Sequence, residues 1–288
     1  METFALEAIG TQWKIDIHEE LPSDKRAVLL GCVRDRIESY DRTYSRFRPD
    51  SLVTAMSKEA GDYRLPDDFG PMIELYERLY RLTGGAFTPL IGQTLVEAGY
   101  DSEYSLVPKK LHPLPTWEET MSYVYPVLTL KRPWTLDFGA GGKGYLADLV
   151  SRVILSHGIE SFCVDAGGDI VYHGRETVRI GLEDPHDPTN AVGVATILNG
   201  SICGSAGTHR AWGDFQHTID PRMLASPKDI LAVWTMAATG LLADALATAL
   251  SFVPAETLAK EYDFDYVILR PDASVECSPH APVELFIE

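Results

Sequence analysis

The stretch Thr135-Leu-Asp-Phe-Gly-Ala-Gly-Gly-Lys-Gly-Tyr-Leu-Ala-Asp148 constrains the fold of this chain more than any other. Trp134 to Leu136 reads as a short apolar strand ending on a carboxylate, Asp137. Gly139, Gly141 and Gly142 predict a turn, and Lys143 follows in the first turn of a helix. Apolar residues at 145, 146, 149, 150, 153 and 154 give that helix one buried face. Gly158, just after His157, reads as its left-handed cap. A strand, a glycine turn and a helix N-terminus present unpaired N–H groups and a positive dipole end, which suit a phosphate. The pattern fits an ordinary strand-to-helix turn equally well, and its spacings are not those of the Walker or Rossmann fingerprints.

The rest of the chain reads as a mixture of strands and helices. Residues 4–17 read as a strand pair or one long strand interrupted at Gly10-Thr11, and residues 22–40 and 68–83 carry helical periodicity. The second helix stops at Thr83-Gly84-Gly85. Residues 104–133 hold five prolines and one apparent strand near Val124 to Leu130, which predicts a long connection, and two lobes joined there are one possible organisation of residues 1–288. Further strands are expected at Ser161 to Tyr172 (bent at Gly167-Gly168), Val178 to Leu182, Val192 to Leu198 and Leu231 to Ala237. A helix is expected over Leu241 to Phe252, and Tyr266 to Leu269 and Val283 to Ile287 complete a sheet. Without a clean βαβ alternation, the expectation is α+β with largely antiparallel sheet and packed helices.

With 288 residues the chain can bury a sizeable core. A net charge of −17 argues against a nucleic-acid or anionic-membrane surface, and it means that a phosphate ligand must be drawn by a local site or a cation. Cys32, Cys163, Cys203 and Cys277 lie far apart, which favours reduced, mostly buried thiols. The N-terminus shows no basic segment followed by an apolar run, and no stretch is long and apolar enough to span a bilayer, so the expectation is a cytoplasmic protein.

Three constellations carry chemistry. On a helix, Asp244 and Thr248 share a face, and their hard oxygens are of the type Mg²⁺ takes when water and phosphate fill its other positions. Alternatively, Thr248 bonds back to the carbonyl of residue 244 and Asp244 is a first-turn charge. His217, near Ser205 and before Asp220-Pro-Arg222, is of the residue type that serves as general base at neutral pH, though a lone histidine is more often structural. Tyr44-Ser-Arg-Phe-Arg-Pro-Asp-Ser51 reads as a surface loop whose arginines pair with acids, or as the rim of an anion site.

Taken together, these segments resemble the ApbE family of FAD:protein FMN transferases. The resemblance rests on Ser45-Arg-Phe-Arg-Pro-Asp-Ser51, Gly85-Ala-Phe87, Leu136-Asp137, Gly142-Lys-Gly-Tyr145, Ala147-Asp148, Gly167-Gly-Asp-Ile170, His217 with Ile219-Asp-Pro-Arg222, and Ala243-Asp-Ala-Leu-Ala-Thr-Ala-Leu250, in family order over nearly the whole chain. It implies a T-fold-like α+β protein that takes Mg²⁺ and, as substrate, FAD, and that moves the FMN half of FAD onto a Ser or Thr of an acceptor flavoprotein, releasing AMP. It implies Asp244, Thr248 and the carbonyl of Ala140 as metal ligands, and His217 as base for the acceptor hydroxyl. Asp137, Lys143, Ala86, Phe87, Thr88 and Ile219 are then expected against FAD, and Ile9 stands where the family often has a methionine against the flavin. Non-catalytic FAD binding and hydrolysis of FAD to FMN and AMP are the alternatives.

Several positions depart from the family pattern. Thr88 stands where the family usually has Asp, Leu90 where it has Thr, Met223-Leu224 where it has Thr-Gly, and His209 where a tyrosine is common.

Overall fold

The alternating residues at the start of the chain fold back on themselves at Ile9-Gly10. The computed structural model describes residues 2–286, with only the backbone of Thr208 and His209, and pairs Glu2–Ala8 (β1) antiparallel with Thr11–Ile17 (β2). Both linking residues are left-handed, with φ +44° at Ile9 and +76° at Gly10, the signs that a tight hairpin needs. A β-branched residue is costly in that conformation.

A helical layer follows. It comprises α1 (Ser23–Tyr44), α2 (Leu52–Met56), β3 (Gly61–Arg64), α3 (Phe69–Leu82) and α4 (Gly92–Glu97). Inside the proline-rich stretch, Thr116 and Glu119 form a capping box that starts α5 (Trp117–Thr120). The hairpin β4 (Met121–Val124) and β5 (Val127–Leu130) then joins β3 in a three-stranded sheet. The single strand expected there is thus a hairpin turned at Tyr125-Pro126.

Two expectations fail at the central stretch. Residues 133–138 belong to no sheet, because their backbone bonds go to helical segments and not to a neighbouring strand: Trp134 N–H donates to Met56 O at the end of α2, and Asp137 N–H to Pro89 O. The glycines are also not a turn. They lie within the opening turns of α6 (Gly139–Ser156), for a packing reason described below. Gly158, with φ +78°, ends the helix as expected.

The second half builds β6 (Phe162–Asp165), β7 (Asp169–His173), β8 (Val178–Asp184), β9 (Asp187–Ile197), β10 (Gly200–Ala206), β11 (Ala211–Trp212), β12 (Phe215–Gln216) and β13 (Ala232–Ala237). The helices α7 (Gly240–Ala249) and α8 (Ala255–Leu258) precede β14 (Asp265–Leu269), β15 (Val275–Cys277) and β16 (Val283–Leu285). An eight-stranded sheet runs β1-β2-β6-β7-β10-β13-β14-β15, with every neighbouring pair antiparallel. The residues after Val283 do not complete this sheet. They pair with β9 in a second sheet, β16-β9-β8, and Ile287 lies outside the described residues.

Helices α1, α3, α6 and α7 bury one face of the large sheet over Trp13, Ile15, Phe162 and Val233. The second sheet covers the other face, where Leu182, Ala195 and Ile197 meet Ile202, Trp234 and Met236. Because β13 is covered on both sides, its sequence is an apolar run broken only by Thr235, whose hydroxyl donates to the Ala243 carbonyl, rather than an alternation. The architecture is the expected antiparallel α+β. The cysteines are all free, but only Cys203 is buried, while Cys163 and Cys32 are half-buried and Cys277 is exposed. Among the described residues no helix is long and apolar enough to cross a membrane.

Candidate functional site

The glycines of α6 let it meet α7 backbone to backbone. A Cβ on Gly144 would stand 2.1 Å from the carbonyl oxygen of Gly240, and one on Gly141 would stand 3.3 Å from the Ala245 Cβ. Two carboxylates then join the helices. Asp148 of α6 accepts the N–H groups of Gly240 (2.7 Å) and Leu241 (2.9 Å), which α7 has no internal partner for, while Thr239 caps Leu242. In return, Asp244 of α7 accepts the Gly144 N–H at 2.9 Å. In a regular helix that N–H would close on the carbonyl of Ala140. Asp244 is in the second turn of α7, so it is not the first-turn charge of the alternative reading.

Asp244, Thr248 and Ala140 all line one cavity of about 1230 Å³. Asp244 is 5 % exposed. Among the described residues no group of three or more His, Cys, Asp or Glu side chains is placed to hold a metal. The oxygen donors that these three residues bring to the cavity wall are one carboxylate, one hydroxyl and one backbone carbonyl. This set fits Mg²⁺, which keeps several positions for water and phosphate oxygens, and does not fit zinc.

The same cavity is lined by the residues expected against FAD and by the expected base: Ile9, Ala86, Phe87, Thr88, Asp137, Lys143, Ile219 and His217. Lys143 forms an ion pair with Asp169 at the start of β7, where Asp169 is 1 % exposed and its Oδ1 has no hydrogen-bond partner among the described residues. Asp137 is held at both oxygens, by the Gly139 N–H (2.7 Å) and by Arg46 Nε (2.5 Å). Arg46 also donates to the Tyr100 carbonyl (2.7 Å) and lies over the Phe47 ring at 4.1 Å. The two readings of the arginine loop therefore divide between its arginines. Arg48 pairs at the surface with Glu38, Asp41 and Asp50, whereas Arg46 is buried in the cavity wall.

Thr88 uses its hydroxyl to cap the 3-10 turn Pro89–Ile91 through the Leu90 N–H, a job that an aspartate does equally well. Leu90 is fully buried, so a core side chain occupies its place. His217 is half-buried, and its N–H donates to the Arg210 carbonyl. The loop after it is fixed by Arg222, which pairs with Asp220 and donates to the carbonyls of Thr83 (3.0 Å) and Phe252 (3.3 Å), at the ends of α3 and of the segment after α7. Met223 is 75 % exposed and Leu224 has φ +52°. The side chain of His209 lies outside the described residues.

Sequence reasoning gave no role to Asp169, beyond its place in Gly167-Gly-Asp-Ile170, nor to the aromatic wall of Tyr100, Tyr104 and Trp212. The signal for Asp169 was available: it directly follows a two-glycine bend, and both glycines are left-handed. The aromatic wall left no local signal, because it brings the 100–104 segment against Trp212 of β11, more than a hundred residues away.

Comparison with known proteins agrees with this architecture. The family model described as "ApbE family" matches residues 9–266. A FAD:protein FMN transferase of Treponema pallidum is 24 % identical over 94 % of this chain and 84 % of its own length. One from Klebsiella pneumoniae is 29 % identical over 84 % of this chain and 75 % of its own length. One from Rhodobacter capsulatus is 26 % identical over 86 % of this chain, which spans half of that protein. Among solved structures, an ApbE protein from Thermotoga maritima superposes with a TM-score of 0.82 at 19 % identity over 96 % of this chain and 97 % of its own. Flavin transferase ApbE from Vibrio cholerae gives 0.77 at 18 % over 96 % of each chain. At such identities the structural likeness speaks to the fold, whereas the family match spans most of the chain and its site-bearing helices: the protein belongs to the ApbE family.

Proposed function

We propose that this protein is an FAD:protein FMN transferase that depends on Mg²⁺, attaching FMN to a Ser or Thr hydroxyl of an acceptor flavoprotein and releasing AMP. The observation that carries this reading is the convergence of the Asp244–Thr248–Ala140 oxygen donors and His217 on one cavity large enough for a dinucleotide. The names of the relatives above support it.

In this reading Asp244, Thr248 and the Ala140 carbonyl hold the cation beside the FAD pyrophosphate. Bound there, Mg²⁺ supplies charge neutralisation to the phosphate oxygens and to the departing AMP. Lys143 adds a positive charge from the same wall, fixed in place by Asp169. His217 takes the proton of the acceptor hydroxyl as its oxygen attacks the FMN phosphorus. The new O–P bond forms as the bridging P–O bond to AMP breaks, and AMP leaves with the electron pair. A locally held cation also answers how a chain of charge −17 keeps an anionic substrate.

The test is incubation with FAD, Mg²⁺ and a candidate acceptor flavoprotein, followed by intact mass of the acceptor and assay of AMP. The expected result is a gain of one FMN phosphodiester per acceptor with matching AMP, lost in EDTA and in a folded Asp244→Ala variant. AMP with free FMN and no labelled acceptor would replace transfer by hydrolysis. FAD bound without turnover would overturn both.

A further inference from the structure

We propose that Tyr104 and Phe47 are the two jaws of a clamp at the cavity mouth, and that a planar ring of the bound dinucleotide stacks between them. The proposal rests on the FAD reading above.

Tyr104 sits at the tip of a strap whose two ends are fixed to the same short helix end. At one end the Leu106 N–H donates to the Gly99 carbonyl (2.9 Å), and a Cβ on Gly99 would stand only 2.6 Å from Val107 N, so the strap is seated directly on the backbone there. At the other end Glu97 is the anchor. Its carbonyl accepts the Lys109 N–H (2.7 Å), and its carboxylate accepts the His112 N–H (2.9 Å) and contacts His112 Nδ1 (3.1 Å). What protrudes is the tip, and both Tyr104 and Leu106 are left-handed there, at φ +50° and +52°. For side chains of this size, that conformation costs on the order of 1 kcal/mol or more at each residue.

A half-exposed tyrosine held on strained backbone contributes little to a core, and Tyr104 is 52 % exposed. Its ring lies almost parallel to that of Phe47, with centroids 5.4 Å apart and planes 11° from parallel, and both rings line the cavity. The two jaws are held differently. Phe47 is backed at 4.1 Å by the Arg46 guanidinium, itself tied to Asp137 and to the Tyr100 carbonyl, so that jaw is fixed. Tyr104 has ring contacts to Phe47 and Tyr100 and a hydroxyl near the tip of the β1–β2 hairpin, and its backbone is turned around Asp101, which accepts the N–H groups of Tyr104 (3.1 Å), Glu103 (3.1 Å) and Ser105 (3.0 Å). A ring inserted at van der Waals distance from both faces needs about 7 Å between them. The two rings now lie in offset contact, about 3.5 Å from face to face, so admitting a third ring moves the loop tip by about 3.5 Å.

FAD offers two rings of this chemistry, the isoalloxazine and the adenine, and binding measurements separate them. FAD, FMN and AMP are titrated against the whole protein, as wild type, Tyr104→Ala and Tyr104→Phe, with thermal melting as the control for folding. The expected result is that Tyr104→Ala weakens FAD by roughly three- to tenfold, the worth of one ring pair, while Tyr104→Phe leaves it unchanged. The mononucleotide that weakens in parallel identifies the clamped ring. Unchanged FAD affinity in Tyr104→Ala would overturn the clamp, and so would tighter binding, which would make Tyr104 a cover that ligand must displace. A wild-type protein that binds no FAD would overturn the functional reading itself.

Discussion

Gly144 and Gly240 touch where α6 crosses α7, so closely that a Cβ on the first would stand 2.1 Å from the carbonyl oxygen of the second and 2.7 Å from the Asp244 Cβ. Neither neighbour is the flexible end of a side chain, so a methyl group cannot be absorbed locally. Gly144→Ala is expected to push the helices apart, destabilise the protein by about 1–3 kcal/mol or more, and carry Asp244 away from Ala140. A lowered melting temperature together with lost Mg²⁺-dependent FAD binding checks this. Full retention of both would mean that the helices have room to slide.

Asp148 sets a pH dependence. Burial pushes its carboxyl up to about 6, and this outweighs the Leu241 and Gly240 N–H groups and Arg152, all of which favour the charged form. The folded state therefore binds this proton more tightly than the unfolded chain, whose carboxyl titrates near 4. The contribution is fully present below about pH 4 and is lost as pH rises through about 6, an effect of roughly 2–3 kcal/mol from this one group. Metal-free wild type and Asp148→Asn melted across that window test it: the variant is expected to be less stable throughout, and its melting temperature to fall less with rising pH. Parallel pH profiles would remove Asp148 as the source.

Leu224 offers a gain in stability. It adopts φ +52° in the turn after Arg222, where a side chain is strained and glycine is not. Leu224→Gly is expected to stabilise the fold by about 0.5–1 kcal/mol, the relieved strain less the extra entropy of glycine in the unfolded chain. Chemical denaturation with an unchanged slope would show it as a higher midpoint. A lower midpoint would mean that Leu224 contributes packing that outweighs its backbone.

The legible parts of this protein were those where local chemistry and tertiary structure agree. The Ile9-Gly10 hairpin, the apolar face of α6, its stop at Gly158 and the Gly167-Gly168 bend all declare themselves within a few residues. The illegible parts were those where tertiary contact overrides propensity. Gly139 to Gly144 look like a turn because glycine weakens helices, yet they are helical because only glycine admits α7 that closely. Gly200-Ser-Ile-Cys-Gly-Ser-Ala206 has almost no strand signature, but it is a central strand because β7 and β13 pair with it on both sides. Likewise Asp244 and Thr248 could be placed on one face from their spacing, whereas the pairing of Lys143 with Asp169 crosses between elements and has no sequence period.

The bond from Gly144 N–H to Asp244 joins residues a hundred positions apart in the chain. No short fragment can carry both sides of it, so the proposed metal site comes into being only when the chain has closed on itself. Cation and substrate should accordingly act on this protein as a removable cross-link: they bind the finished fold, raise its stability in proportion to the logarithm of their concentration, and recruit nothing from the unfolded ensemble. A polypeptide cut in the β8–β9 turn would regain the site only by reassociation of its two halves, which makes ligand binding a direct readout of completed assembly.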